Sequence, residues 1–301
     1  MLRATCRLVA ICAMTWAVLS TDSPARAADA APAAGAPQFY AYCVEVGVPG
    51  LKTRPLAEQA ELLHELGFDG IGCPLWLGAE LDKNLDLLDR AGVKLFMLYT
   101  SIDLKNAARP HDPRLAEALA KLKGRPVTIC VLMHGLRPAD PKGMEPAVKA
   151  LRDLGDLAAK SGLRISIYHH VGDWTAALPF ALEVVKAVNH PNVGANFNLC
   201  HWLKVEGDKD WRPLVRDSAG KIFVVTLSGA QRGASAWTNG LIQPLDKGDF
   251  DNRALVTAFR EAGYRGPIGL MCYGVPGDAR EHLARSMKVW KTWQSDTGKP
   301  Q

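Results

Sequence analysis

A helix pattern, a glycine or asparagine stop and a short apolar strand ending in polar residues recur along this chain. No other feature constrains its fold as strongly. The strands are read in Phe39–Val46 and in the segments HELGFDGIGC, DRAGVKLFMLYT, KLKGRPVTICVLMH, AKSGLRISIYHH, NHPNVGANFNLCH, SAGKIFVVTLSG and EAGYRGPIGLMCYG. Eight strands separated by helix-length intervals favour a parallel sheet with helices outside it. The expected fold is therefore α/β, a (β/α)8 barrel. Barrels of this kind carry their chemistry where the strands end at the carboxyl side, in the loops that follow.

The barrel is expected to occupy residues 38–295 as a single domain, because about 265 residues follow the leader, close to the roughly 250 typical of one barrel. Residues 1–27 read as a signal peptide. Arg3 and Arg7 precede the apolar run Leu8–Leu19, and Ala25-Arg26-Ala27 has the A-x-A form of a cleavage site. The run is about 12 residues long, whereas a spanning helix needs about 20. The chain is thus expected to be exported, periplasmic or extracellular, with no membrane anchor. The Ala- and Pro-rich residues 28–37 read as a leader without fixed structure, and 296–301 as a tail.

Loss of residues 1–27 takes Arg3, Arg7, Arg26 and Asp22 and lowers the formal charge from +5 by two, to +3. Basic residues such as Lys149, Arg152 and Lys160, or Arg285, Lys288 and Lys291, are scattered over helices as solvated faces. No basic stripe forms, so nucleic acid is not an expected partner. Five cysteines remain, Cys43, Cys73, Cys130, Cys200 and Cys272, none in a C-x-x-C pair. Free buried thiols are the favoured reading, with one disulfide between neighbouring strand ends left open by the exported location.

Helical spacing closed by a stop residue is read at Pro55–Leu66, Asp112–Leu122, Met144–Ala159, Ala176–Val188 and Asn252–Ala262. Residues Gly229–Gly248 lack periodicity and read as a long loop over the barrel mouth. Strand alternation then sorts side chains by face. In the fifth strand Ser166, Tyr168 and His170 are expected to face the barrel interior, with Ile165, Ile167 and His169 towards the helices. By the same argument Glu45, His134, Asn196, Asn198, Thr226, Ser228, Met271 and Tyr273 point inward, and His201 lies on the next loop.

The candidate site is therefore Glu45, His134, Tyr168, His170, Asn198 and His201 at one end of the barrel. Imidazole titrates near neutral pH and a carboxyl is tuned upward by burial, so the set suits proton transfer. It also suits metal binding, since imidazole and carboxylate are ligands. Each His alone is more often a hydrogen-bonded structural residue; their convergence on one rim favours a site. Trp202 and Trp237 could stack on a sugar ring or pack the rim. Lys204 and Tyr273 are further candidates for substrate contact, the alternative for Lys204 being a solvated loop.

The segments LDKGDFDNRALVTAFREAGYRGPIGL, VGANFNLCH and YHHVG resemble the closing helix and last strand, the sixth strand with its following His, and the fifth strand of the xylose isomerase-like TIM-barrel superfamily. That superfamily includes sugar-phosphate isomerases, epimerases and apurinic-site endonucleases. The resemblance implies a divalent metal held by Glu, Asp, His and Glu after strands five to eight. Carried over by position, those places hold Tyr168, Asn198, Thr226 and Met271, so the usual metal cage is expected to be absent. A divalent metal is expected only if a non-standard site uses His134, His170 and His201. No cofactor is expected.

Three readings follow. The first is an exported enzyme of sugar isomerase or epimerase type, with a lyase-like variant, that abstracts a proton next to a sugar carbonyl. In it His170 or His201 is the base, Glu45 or the other His the acid, and Tyr168 and Asn198 bind the enediolate oxygen, with His134, Trp202, Lys204, Trp237 and Tyr273 around the substrate. The second is a non-catalytic carbohydrate-binding protein on the same barrel. The third, a metal-dependent endonuclease, is disfavoured by the missing ligands, the modest charge and export. The expected partner is a small carbohydrate.

Overall fold

The computed structural model describes residues 37–106 and 108–296. The signal-peptide reading, the leader up to residue 36 and the tail from residue 297 lie outside the described residues.

Eight strands form a closed parallel barrel in sequence order. They are β1 (Phe39–Tyr42), β2 (Gly70–Pro74), β3 (Lys94–Asp103), β4 (Thr128–His134), β5 (Arg164–Tyr168), β6 (Val193–Asn198), β7 (Ile222–Leu227) and β8 (Ile268–Met271). β1 closes the barrel by pairing with both β2 and β8, and Tyr42 lies opposite Met271. The helices are α1 (Leu56–Leu66), α2 (Ala79–Ala91), α3 (Leu115–Lys121), α4 (Met144–Lys160), α5 (Leu178–Val188), α6 (Leu199–Glu206), α7 (Arg212–Ser218), α8 (Asn252–Glu261) and α9 (Ala279–Asp296). Among the described residues no helix is long and apolar enough to cross a membrane.

The longer helices bury one stripe each. In α4 the buried residues are Ala147, Ala150, Leu151, Leu154, Gly155 and Ala158, recurring at three- and four-residue intervals as an amphipathic helix requires. The strands read as apolar runs because one face meets the helices and the other fills the interior. Inside, Tyr40 is fully buried, and Gly269 makes room for it: a Cβ there would lie 2.6 Å from the Tyr40 ring. The five described cysteines are free thiols.

Two local readings are corrected. β1 stops at Tyr42 rather than Val46, because Cys43 and Glu45 adopt left-handed backbone (φ 55° and 61°) and a turn follows. Alternation therefore does not extend to Glu45. His201, expected on a loop, lies in the first turn of α6, which begins directly at the end of β6.

Candidate active site

A cavity of about 460 Å³ opens at the carboxyl ends of the strands. Tyr168 and His170 reach it from β5 and its extension, as alternation requires, and His201 reaches it from α6. His169, on the opposite face, is fully buried. Its Nε2 accepts the Asn198 N–H at 3.0 Å, and its Nδ1–H donates to the Ala176 carbonyl at 3.4 Å. Both ring nitrogens thus have fixed structural tasks. Burial pulls the His169 pKa down to about 4.

His201 is 4% exposed. It is aimed by the N-cap of α6, where the Asn198 side chain accepts the Cys200 N–H at 3.2 Å. The Val171 N–H donates to His201 Nδ1 at 3.4 Å. A neutral ring that accepts at Nδ1 carries its proton on Nε2. Burial, reinforced by the neighbouring His170 and His169, holds the His201 pKa well below its usual value. His201 is thus a neutral imidazole.

The His170 ring lies 4.3 Å from that of His201, centroid to centroid. Behind it, Asp173 Oδ2 lies 3.6 Å from His170 Nδ1, while Asp173 Oδ1 accepts from His134 Nδ1 at 3.0 Å. Burial lowers the pKa of His170 and raises that of Asp173; their mutual attraction opposes both shifts. His134 shares a strand face with Leu132, but only Leu132 lines the cavity. His134 stands on the rim, with its side chain 46% exposed.

The floor is a closed polar network. The Asn198 amide donates to the Tyr168 hydroxyl at 2.6 Å and to the Tyr42 hydroxyl at 3.0 Å, and the two hydroxyls lie 3.3 Å apart. The Asn198 carbonyl oxygen accepts from Cys200, which fixes the amide orientation. Burial pushes the Tyr42 and Tyr168 pKa values far up, so both phenols keep their protons. One phenol hydrogen bridges the pair, and Thr226 is a further hydrogen-bond partner of Tyr42. Asn198 has both amide hydrogens and its oxygen engaged by protein, so it shapes the floor without an unpaired group of its own.

The remaining candidates divide. Trp237 and Tyr273 line the cavity, Trp237 on the long loop with its ring 5.3 Å from His201. Lys204 donates to the Ser235 carbonyl at 2.5 Å and lies 5.4 Å from the Trp237 ring centre, tying the loop down. Trp202 is buried against Phe197 and does not line the cavity. Glu45 is also outside it, its carboxylate held by the Arg54 Nε at 2.9 Å and backbone N–H at 3.0 Å. Arg54 holds the Glu45 pKa below its usual value. Sequence reasoning missed Tyr42, Cys43, Tyr99 and Asp173. The alternation in Phe39-Tyr40-Ala41-Tyr42 carried the signal for Tyr42; Asp173 follows His170 by a turn and had none.

At the four places where the resemblance implies metal ligands, the donors do not fit a divalent cation. Tyr168 and Asn198 are bonded to each other, the Thr226 hydroxyl donates to the Phe197 carbonyl at 3.4 Å, and Met271 offers a soft thioether. Among the described residues no group of three or more His, Cys, Asp or Glu is arranged to hold a metal ion.

Solved structures share this fold. A xylose isomerase domain protein from Alicyclobacillus acidocaldarius is 16% identical, with a TM-score of 0.67 over 86% of this chain and 98% of its own. D-psicose 3-epimerase from Clostridium cellulolyticum, solved with D-tagatose, is 14% identical (TM-score 0.63; 86% and 98% covered). A probable 3-DHS dehydratase from Bacillus anthracis is 16% identical (TM-score 0.63; 84% and 98% covered). No curated protein matches the sequence significantly. The family model for the xylose isomerase-like TIM barrel matches residues 60–293. With more than half of its length matched, the chain belongs to the xylose isomerase-like TIM-barrel family.

Proposed function

We propose that this protein is an exported enzyme of sugar isomerase or epimerase type that abstracts a proton from the carbon next to a sugar carbonyl, with His170 as base and without the family's metal cage. The observation that carries the reading is the arrangement of two unlike neutral imidazoles on one cavity. Asp173 Oδ2 stands 3.6 Å from His170 Nδ1, beyond hydrogen-bond distance, and both atoms are buried without a hydrogen-bond partner among the described residues. The nearby carboxylate favours the proton on Nδ1, which leaves Nε2 as the basic nitrogen. His201 carries its proton on Nε2 and is a donor. Their roles are thereby divided, and Asp173 acts as a positioning residue.

In the reaction, the His170 Nε2 lone pair takes the proton. The C–H electron pair becomes the C=C bond of an enediolate, and the carbonyl π electrons move to oxygen. That oxygen is met by His201 Nε2–H, with the hydroxyls of the Tyr42–Tyr168 pair as the polar wall beside it, the kind of donor an oxyanion requires. Passage of the neighbouring hydroxyl's proton to the former carbonyl oxygen, with return of the carbon-bound proton to the former carbonyl carbon, completes an isomerisation. Re-forming of the carbonyl with delivery of a solvent proton to the other face of the same carbon, His170 releasing its proton to solvent, completes an epimerisation. The epimerase and dehydratase among the structural relatives use the same fold, which supports the class and not the substrate. Export is supported by Arg3, Arg7, the apolar run and Ala25-Arg26-Ala27.

The test is hydrogen exchange. Candidate aldoses and ketoses are incubated with the protein in deuterated solvent, and deuterium at the carbon next to the carbonyl is read by NMR. Exchange that vanishes in His170→Ala supports the reading. A sugar that binds in the cavity with neither exchange nor turnover sinks it and favours the carbohydrate-binding protein.

A further inference from the structure

The cavity has a chemical character that the proton-transfer reading does not use. Among its described lining residues there is no Asp, Glu, Lys or Arg. Burial drives six groups of the lining towards their uncharged forms: the imidazoles of His170 and His201 downward, the phenols of Tyr42, Tyr99 and Tyr168 upward, and the Cys43 thiol up to about 11. Lys204, which stands against the lining residue Trp237, is engaged by the Ser235 carbonyl. A phosphate or carboxylate entering this space would leave water without meeting a cation, a cost that buried anions avoid only by pairing.

Between the polar groups lie Leu132, Val171, Ile242 and Met271, with Trp237 and Tyr273 beside them. A bare sugar has hydroxyls around its whole edge and would leave that aliphatic surface poorly matched. The volume of about 460 Å³ is within the range of pockets that enclose ligands larger than one small ring. His201 lines the cavity, and its Nε2–H can donate there to a ligand acceptor.

We propose that the site takes an uncharged sugar joined to an apolar group, a glycoside with an aromatic or alkyl substituent, in preference to a sugar phosphate or sugar acid. The sugar ring meets His170, His201 and the Tyr42–Tyr168 pair, and the substituent lies against Leu132, Ile242 and Met271. This rests on the reading of the cavity as a carbohydrate pocket and is independent of whether proton transfer occurs there.

Calorimetric titration of the purified protein tests it, using the phenyl glycosides, methyl glycosides and 6-phosphates of glucose, galactose and mannose. The expected result is one sugar series in which the phenyl glycoside binds about tenfold more tightly than the methyl glycoside, with no detectable binding of the phosphate. Leu132→Lys, checked for folding by thermal melting, should lose the phenyl preference. Equal binding of phenyl and methyl glycosides, binding of a 6-phosphate at least as tight, or no binding by any series overturns the proposal. A glycoside is an acetal without a carbonyl, so these ligands report the pocket and not the reaction. A phenyl glycoside that binds while free aldoses and ketoses show no solvent exchange upholds the proposal and removes only the isomerase reading. Exchange on a 6-phosphate does the reverse.

Discussion

The rings of His170 and His201 stand 4.3 Å apart and 52° from coplanar at the wall of the cavity, one backed by Asp173 and the other by the Val171 N–H. Two imidazoles so close would repel if both were charged, and burial already disfavours charge on each. The Val171 N–H fixes His201 Nδ1 as an acceptor, while His170 Nδ1 faces a carboxylate 3.6 Å away without a hydrogen bond, so the two rings stand in unlike surroundings.

Replacement of His170 by Ala is therefore expected to slow solvent exchange by about 10²–10⁴, the usual contribution of a general base. His170 is partly exposed, so the melting temperature should stay close to that of the parent. His201→Ala should also slow exchange, by about 10²–10³ for loss of an oxyanion donor, and should lower stability because the ring is buried. Equal exchange rates in parent and His170→Ala would assign the base elsewhere.

Purified protein is expected to carry divalent metal far below stoichiometry. Tyr168, Asn198, Thr226 and Met271 stand where the resemblance implies ligands, and their donors are bonded to protein or soft. Elemental analysis is the measurement. Near-stoichiometric manganese, cobalt or zinc that is lost in His170→Ala would restore a metal-assisted reaction.

Acid should destabilise the fold with a defined sign. His169 is neutral in the folded chain down to about pH 4, whereas its ordinary pKa is 6.5. His282, also buried, behaves alike, with a folded value of about 4. Between these limits the unfolded chain binds more protons. Stability is thus complete above pH 6.5 and falls as the pH drops towards 4, by on the order of 3 kcal/mol for His169. Melting temperatures measured from pH 7 to pH 4 should fall less steeply in His169→Gln; parallel curves would contradict the assignment.

Gly248 closes the long loop over the mouth. It has φ +82°, and a Cβ there would lie 2.1 Å from the Ala230 carbonyl oxygen. Gly248→Ala should cost about 1–3 kcal/mol in stability and weaken ligand binding, because Trp237 and Ile242 reach the cavity from this loop. Unchanged melting and unchanged affinity would show that the loop tolerates a side chain at this point.

Protein recovered from the producing cell is expected to begin near Ala28 and to lie outside the cytoplasm, because Ala25-Arg26-Ala27 follows a short apolar run. N-terminal sequencing checks this. An exported chain that retains Met1 would argue against cleavage.

The barrel was legible in the sequence because its signals are local. Each helix stripe, each stop such as Gly67 or Asn189 and each apolar strand lies within a few residues, and their repetition admits few architectures. Alternation within β5 likewise predicted that Tyr168 and His170 face inward while His169 does not. It failed at Glu45, since a left-handed turn at Cys43 ends the strand, and nothing in the residue types of Cys43-Val44-Glu45 announces that conformation. Trp202 and Trp237 look alike in sequence, yet packing buries one against Phe197 and sets the other at the cavity. The sequence by itself thus determined the eightfold repeat and the inward faces of regular strands. Only the tertiary structure decided which side chains share the cavity, which nitrogen of His201 carries a proton, and that Asp173 stands between His134 and His170. Those relations join residues that come from different strands and loops, and they exist only once the barrel has closed.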